Sequence, residues 1–398
     1  MSSRRIIVVG SGTRFLSGIS VYTLRLADAL AAAGHRVAIV TMRQLLPTRF
    51  YPGRQRVGQP LTQLDGGSKI ARFDGVDWHW IPSLFHAARF MARRRPDLLI
   101  LQWWTGTVLH TYLALALIAR WLGAHVIVEF HEVQDTGEVR IRAARLYARL
   151  MGRSVLRLAS GFAVHSAFDR ELLGASFDLR GRPVSVLPHG PHDHYQPPVT
   201  EPGDDRSARQ APSGVLDLLF FGVIRPYKGL EDLVAAFDSL EPAEISGYWL
   251  TVVGETWEGW TQPAERIKAS RYRDRITFVN RYVTDQELHG YLSGADAVVL
   301  PYRRSSLSGP LHVAMGYGLP IVMTDVGGNA EAAEGYGGIK LVPVADPAAI
   351  AQAVRGIAAM TGTRFAHPHS WAHTADAYDA LFDRVAPVAA RQPAAPIR

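Results

Sequence analysis

Residues 216–229 read Leu216-Asp217-Leu218-Leu219-Phe220-Phe221-Gly222-Val223-Ile224-Arg225-Pro226-Tyr227-Lys228-Gly229. Apolar side chains crowd the first six positions without strict alternation, as in a strand covered on both faces of a parallel sheet. Glycines at 222 and 229 punctuate the next eight residues, and a helix is expected from Leu230. Arg225 and Lys228 fall in the turn between strand and helix. In open α/β sheets ligands bind in loops at the C-terminal ends of the strands. Two fixed cations there can neutralise a diphosphate and stabilise its charge as it leaves.

The same strand-then-helix rhythm recurs on both sides. Strands are expected at 6–10, 36–41, 98–102, 125–130, 162–165 and 184–187, then at 216–221, 249–253, 276–278, 297–300, 321–324 and 339–342. Alternation of this kind predicts βαβ units and doubly wound sheets, an α/β fold. The segment 191–214 breaks the rhythm with Pro197-Pro198, Pro202-Gly203-Asp204-Asp205 and Pro212-Ser213-Gly214, which is linker chemistry. The expected division is a domain over 1–190, a linker over 191–214 and a second domain over 215–369. A last helix over 370–386 can pack back on the first domain.

The chain has 398 residues, room for two cores, and its 47% hydrophobic and 20% charged residues are ordinary for a globular protein. It has no cysteine, which excludes disulfides and thiolate metal sites and suits a reducing compartment. The net charge of +7 is uneven: residues 1–200 carry 25 Lys and Arg against 13 Asp and Glu, and the remainder 18 against 23. The first half is therefore expected to meet something anionic. The apolar stretch at 113–119 ends at Arg120, well short of the roughly 20 residues of a membrane span. The expected location is cytoplasmic, with the inner face of the membrane within reach.

Other glycine turns repeat the theme. Gly10-Ser11-Gly12-Thr13-Arg14-Phe15-Leu16-Ser17-Gly18 comes directly after the first strand, where glycine lets backbone approach a phosphate at a helix start. Phe15 stands where a dinucleotide fingerprint needs glycine, which counts against nicotinamide and flavin. In Ser305-Ser306-Leu307-Ser308-Gly309-Pro310, Ser308 or Gly309 can cap a helix and Pro310 fits its first turn. His131, directly after the fourth strand, can hydrogen-bond a sugar hydroxyl or pass protons; His165, His189 and His192 are placed similarly. Arg142, Arg145, Arg149, Arg153 and Arg157 share one helical face, with no acidic residue between Glu138 and Asp169. That face is either plainly solvated or set against anionic lipid or an anionic acceptor. No HExxH, P-loop or Gly-x-Ser-x-Gly occurs, so no metal or cofactor is expected. The basic residues are not interleaved with aromatics, which argues against nucleic acid.

Together these motifs resemble the family-four glycosyltransferases, retaining enzymes of the GT-B fold, in which two Rossmann-like domains face each other across a cleft. The segments that carry the resemblance are Ser17-Gly18-Ile19-Ser20-Val21-Tyr22, Phe130-His131-Glu132, Val186-Leu187-Pro188-His189-Gly190, Phe221 to Gly229, and Gly327-Gly328-Asn329-Ala330-Glu331. The resemblance implies transfer of a sugar from a nucleoside-diphosphate sugar to a glycan, lipid-linked or small-molecule acceptor on the first domain. It implies catalytic roles for His131, Arg225 and Lys228. Donor contacts are implied for Gly18, Gly222, Gly254, Glu255, Arg281, Tyr282, Ser305, Ser308, Gly309, Leu311 and Glu331. One departure is visible. The family usually carries two glutamates, with seven residues between them, on the donor sugar and the ribose; Ser305 and Val313 occupy those positions here. A sugar-nucleotide epimerase or hydrolase of the same fold, or a silent nucleotide-sugar binder, are the alternatives.

Overall fold

The computed structural model describes residues 3–12, 18–44, 70–77, 81–133, 142–192, 210–256, 260–306 and 308–386. In the first half, strands β1 (Arg5–Ser11), β2 (Arg36–Gln44), β3 (Ala71–Asp77), β4 (Leu98–Trp103), β5 (His125–Phe130), β6 (Gly161–Val164) and β7 (Val184–Val186) alternate with helices. The helices are α1 (Gly18–Ala32), α2 (Ile81–Arg94), α3 (Leu109–Trp121), α4 (Arg142–Leu158) and α5 (Ala167–Ser176). All strand pairs are parallel, in the order β3-β2-β1-β4-β5-β6-β7. Strand β3 is an addition to the expected set. Among the described residues it lies at the sheet edge and pairs with β2 alone, and it carries Arg72, Asp74 and Gly75 among its apolar residues, so no buried run marks it in the sequence.

The second half repeats the plan with strands β8 (Leu216–Phe221), β9 (Tyr248–Val253), β10 (Ile276–Val279), β11 (Ala297–Leu300), β12 (Ile321–Thr324) and β13 (Ile339–Val342). Its helices are α6 (Leu230–Asp238), α7 (Gln262–Ala269), α8 (Asp285–Gly294), α9 (Gly309–Gly316), α10 (Asn329–Ala332) and α11 (Pro347–Ile357). This sheet runs β10-β9-β8-β11-β12-β13, again parallel. Each sheet thus reverses direction beside its own first strand, between β1 and β4 and between β8 and β11. Doubly wound sheets bind ligands at such switch points, outside the strands' carboxyl ends. The first sheet is covered by α2, α3 and α4 on one face and by α1 on the other.

The last helix, α12 (Trp371–Val385), joins the first domain. Its Ala375, Tyr378, Leu381, Phe382 and Val385 pack against Ile6, Tyr22, Leu26 and Leu30. Arg4 donates to the carbonyls of Phe382 and Ala386, each at 3.0 Å, and His35 Nε2 meets Asp379 Oδ1 at 2.8 Å. The two crossings between domains are pinned side by side. Trp371 Nε1 donates to Pro191 O at 2.9 Å, and Thr374 Oγ1 to Pro188 O at 2.8 Å. Gly190 is needed there, since a Cβ would stand 2.4 Å from the Trp371 ring. Of the expected linker, residues 193–209 lie outside the described residues.

Candidate active site in the interdomain cleft

The carboxyl ends of the two sheets face each other, and several contacts bridge them. Arg304 pairs with Glu132 at 3.7 Å. Ser306 Oγ donates to Asp169 Oδ1 at 3.0 Å. The Glu331 carboxylate accepts the N–H groups of Ala167 at 2.6 Å and Phe168 at 3.0 Å, capping α5 from the other domain. A carboxylate suits those otherwise unpaired N–H groups and the positive end of the helix. Glu331 is thus placed as a clasp between domains, with both oxygens engaged.

The Arg225–Gly229 turn is built from local rules. Pro226 opens a single turn of 3-10 helix, and Gly229 closes it with φ of 67° before α6 begins. Gly229 also lies against the next loop: a Cβ would come within 1.9 Å of Pro301 O. The turn and the 301–310 loop are therefore packed backbone to backbone, strengthened by Arg303 N donating to Tyr227 O at 2.7 Å. This closeness sets Lys228 over the Tyr302 ring, with Nζ 3.8 Å from its centroid, and 5.6 Å from that of Tyr227. No ion pair joins Lys228 to a carboxylate among the described residues. Burial, helped by Arg225 and opposed by Glu132, brings the ammonium down to about 7.

At the neighbouring helix, Ser308 caps α9, its Oγ accepting from Leu311 N at 3.2 Å. Pro310 has no N–H and that of Leu311 is taken by the cap, so Gly309 supplies the remaining backbone donor of the first three helical residues. Ser305 lies under Gly327, whose Cβ would stand 1.8 Å from Ser305 O. Val313 is buried in the second core with Leu311 and Met315. Gly222 and Gly254 also touch, a Cβ at 254 falling 2.0 Å from Gly222 O. The Arg281 guanidinium is held by Glu287 at 2.5 and 3.2 Å, beside Tyr282. Glu255 lies just past β9, its backbone O accepting from Ile224 N at 2.9 Å. Gly18 opens α1 and is exposed, 3.8 Å from His192 by its would-be Cβ. Residues 13–17 lie outside the described residues.

His131 sits at the end of β5, buried, with its N–H on Trp103 O at 2.9 Å. Around it is a polar group absent from the sequence-based candidates. Glu129 accepts from Tyr22 Oη and from Gln102 Nε2, each at 2.5 Å, and Gln102 Oε1 bonds His131 Nε2. Burial raises Glu129 to about 7, against the pull of Tyr22, Tyr378 and Gln102. A signal was available: Gln102 and Glu129 are the polar residues near the ends of otherwise apolar strands. His165 lies tilted beside His131, ring centroids 4.9 Å apart, and a file of rings continues through His189 and His312, which stack at 4.1 Å across the domains. One ligand atom each from Glu129, His131 and His165 lies within 4.8 Å of the others. That donor set could hold a divalent cation. Yet the carboxylate already accepts from Tyr22 and Gln102, and His131 Nε2 is taken by Gln102 Oε1.

On the outer face of the first domain, α4 carries exposed Leu146, Arg149, Leu150, Arg153 and Arg157. The side chains of Arg142 and Arg145 lie outside the described residues. The adjoining α2 and α3 expose Phe85, Arg89, Arg93, Leu117, Arg120 and Trp121, and none of the three helices contains an acidic residue.

Known proteins resemble this chain on both halves. A family model described as "Glycosyl transferase 4-like domain" matches residues 17–190, and one described as "Glycosyl transferases group 1" matches 216–359. The chain is 25% identical to a glycogen synthase of Mycobacterium tuberculosis, over 86% of this chain and 82% of that protein. It is 26% identical to a D-inositol 3-phosphate glycosyltransferase of Xylanimonas cellulosilytica, over 89% and 86%. Among solved structures, a sucrose-phosphate synthase from Thermosynechococcus elongatus superposes with a TM-score of 0.62 at 20% identity, covering 96% of each chain. No helix among the described residues is long and apolar enough to cross a membrane.

Proposed function

Because this chain belongs to the family-four type of glycosyltransferases with the GT-B fold, we propose that it moves a sugar from a nucleoside-diphosphate donor, with retention and without a metal or cofactor, to an acceptor on its first domain. The observation that carries this reading is the caged cation. Lys228 is fixed on the Tyr302 ring at a strand's carboxyl end, with no ion-pairing carboxylate among the described residues. Such an ammonium is preorganised for an anion, and Arg225 beside it is a second positive charge. Gly309 offers a backbone N–H, and Gly18 and Gly222 bring main chain close. Gly254, Glu255, Arg281 and Tyr282 form the wall for base and ribose, Ser305 and Ser308 edge the sugar and phosphate, and His131 contacts the donor sugar. The Glu331 and Ser306 contacts hold the cleft shut, so that water does not intercept the donor.

The lysine gives this reading a pH signature. Below about 7 Lys228 is protonated and attracts the diphosphate; above it, binding must first take up a proton. One of UDP, GDP or ADP is expected to raise the thermal midpoint at pH 6.5, by mass action, with the shift shrinking as pH rises towards 8.5. No shift from any of the three at pH 6.5 would remove the assignment.

The acid-free face of α2, α3 and α4 supports an anionic phospholipid surface as the place where the acceptor is met, on the cytoplasmic side of the membrane. Arginines supply the attraction, and Phe85, Leu117, Trp121, Leu146 and Leu150 supply apolar area for the headgroup boundary. The protein is expected to float with phosphatidylglycerol vesicles at low salt and to be released by about 0.5 M salt, where the Debye length is a few ångströms. Equal behaviour with purely zwitterionic vesicles counts against this surface.

A further inference from the structure

The group around Glu129 fixes more than its own hydrogen bonds. Above about pH 7 Glu129 is ionised and only accepts, so Gln102 then turns its NH2 towards Glu129 and its carbonyl oxygen towards His131. That oxygen also only accepts, so His131 must donate from Nε2. The proton of the neutral imidazole is then accounted for, and Nδ1 is left as a bare lone pair. Nδ1 is buried and has no partner among the described residues. An unpaired buried acceptor is costly unless a ligand supplies the donor. The imidazole is also held neutral, because burial and the neighbouring His165 and His192 all disfavour its charged form.

We propose that Gln102 and Glu129 are positioning residues that lock His131 in the Nε2–H tautomer, so that His131 meets the donor sugar as an acceptor for one of its hydroxyls. The sugar contact rests on the proposed transferase function; the tautomer does not. Tyr22 completes the lock by holding the other Glu129 oxygen, and its ring packs edge-on against His131 at 4.6 Å. The resulting specificity is chemical: a sugar with a hydroxyl at that position satisfies Nδ1, and its deoxy analogue leaves the lone pair unpaired.

The test begins without substrate. In the full chain labelled with 15N-histidine, His131 is assigned by the signal lost in His131→Gln, and its ring nitrogens are read at pH 7.5. A protonated Nε2 and a bare Nδ1 are expected. Gln102→Leu should release the lock and give a mixture. Gln102→Glu should restore it, because two facing buried carboxyls share one proton, which reproduces a donor towards Glu129 and an acceptor towards His131. A protonated Nδ1 in the wild type, or the same tautomer in Gln102→Leu, overturns the lock. Turnover is then measured with UDP-glucose, GDP-mannose and ADP-glucose, scored as donor hydrolysis or transfer, on whichever is used. Gln102→Leu should lower kcat about 10- to 100-fold with KM changed less than about 3-fold, and Gln102→Glu should recover most of it. The expected tautomer in the wild type and a mixture in Gln102→Leu, with kcat unchanged in that variant, overturn the sugar contact and leave the hydrogen-bond lock standing.

Discussion

Lys228→Ala is expected to lower kcat by roughly 100- to 1,000-fold, the usual loss when one preorganised group that stabilises a developing anion is removed. The structure says why the loss should be large. The ammonium sits on the Tyr302 face without an ion-paired carboxylate among the described residues, fixed in place as the proposed diphosphate contact requires. The fold should survive. Lys228 is brought down to about 7 in the folded protein from 10.5. A lysine whose folded value lies below its unfolded one opposes folding wherever it is charged, most fully below pH 7. Its removal should therefore leave the thermal midpoint at pH 6 unchanged or higher. Near-normal turnover in this variant, with an intact fold, would sink the diphosphate assignment. A collapse of the midpoint would instead show that the tyrosine cage depends on the cation.

Gly229→Ala should damage stability and chemistry together. The residue has φ of 67°, where a side chain is strained, and the added Cβ would meet Pro301 O at 1.9 Å. The strain alone is worth about 1 kcal/mol, and a backbone clash brings the expected destabilisation to at least about 2 kcal/mol. Relief requires the Arg225–Gly229 turn and the 301–310 loop to move apart. That separates Lys228 from Tyr302, and a shift of about 1 Å at such a site can lower the rate near 100-fold. Gly247→Ala is the matched control, because nothing lies within 4 Å of its would-be Cβ. Equal midpoints and rates for the two variants would show that the two loops are not held by this contact.

Much of the architecture was written in the sequence. Runs such as Leu216–Phe221 and Ala297–Leu300 read as strands covered on both sides, and glycines at their ends mark turns into helices. Among the described residues, twelve of the thirteen strands announce themselves in this way. The exception, Ala71–Asp77, is an edge strand whose polar residues need no burial, so hydrophobic patterning carries no trace of it. Arg225 and Lys228 were legible for the same local reason, since a turn after a buried strand fixes where its side chains begin. Local pattern also caps α9 at Ser308.

What only the tertiary structure decided is which partner each polar residue finds. Glu331 lies just past a glycine turn like those that meet phosphate, yet its carboxylate rests on the N–H groups of Ala167 and Phe168, in the other domain. Arg281 looks free in the sequence and is held by Glu287. Gln102 and Glu129 sit in different strands, and only the β4–β5 register sets them side by side beneath His131. Hydrophobic burial is a property of each segment and can be read one segment at a time. A hydrogen bond or a charge contact is a property of a pair, and in a doubly wound fold the chain does not say which distant loops will share an edge until both sheets have closed.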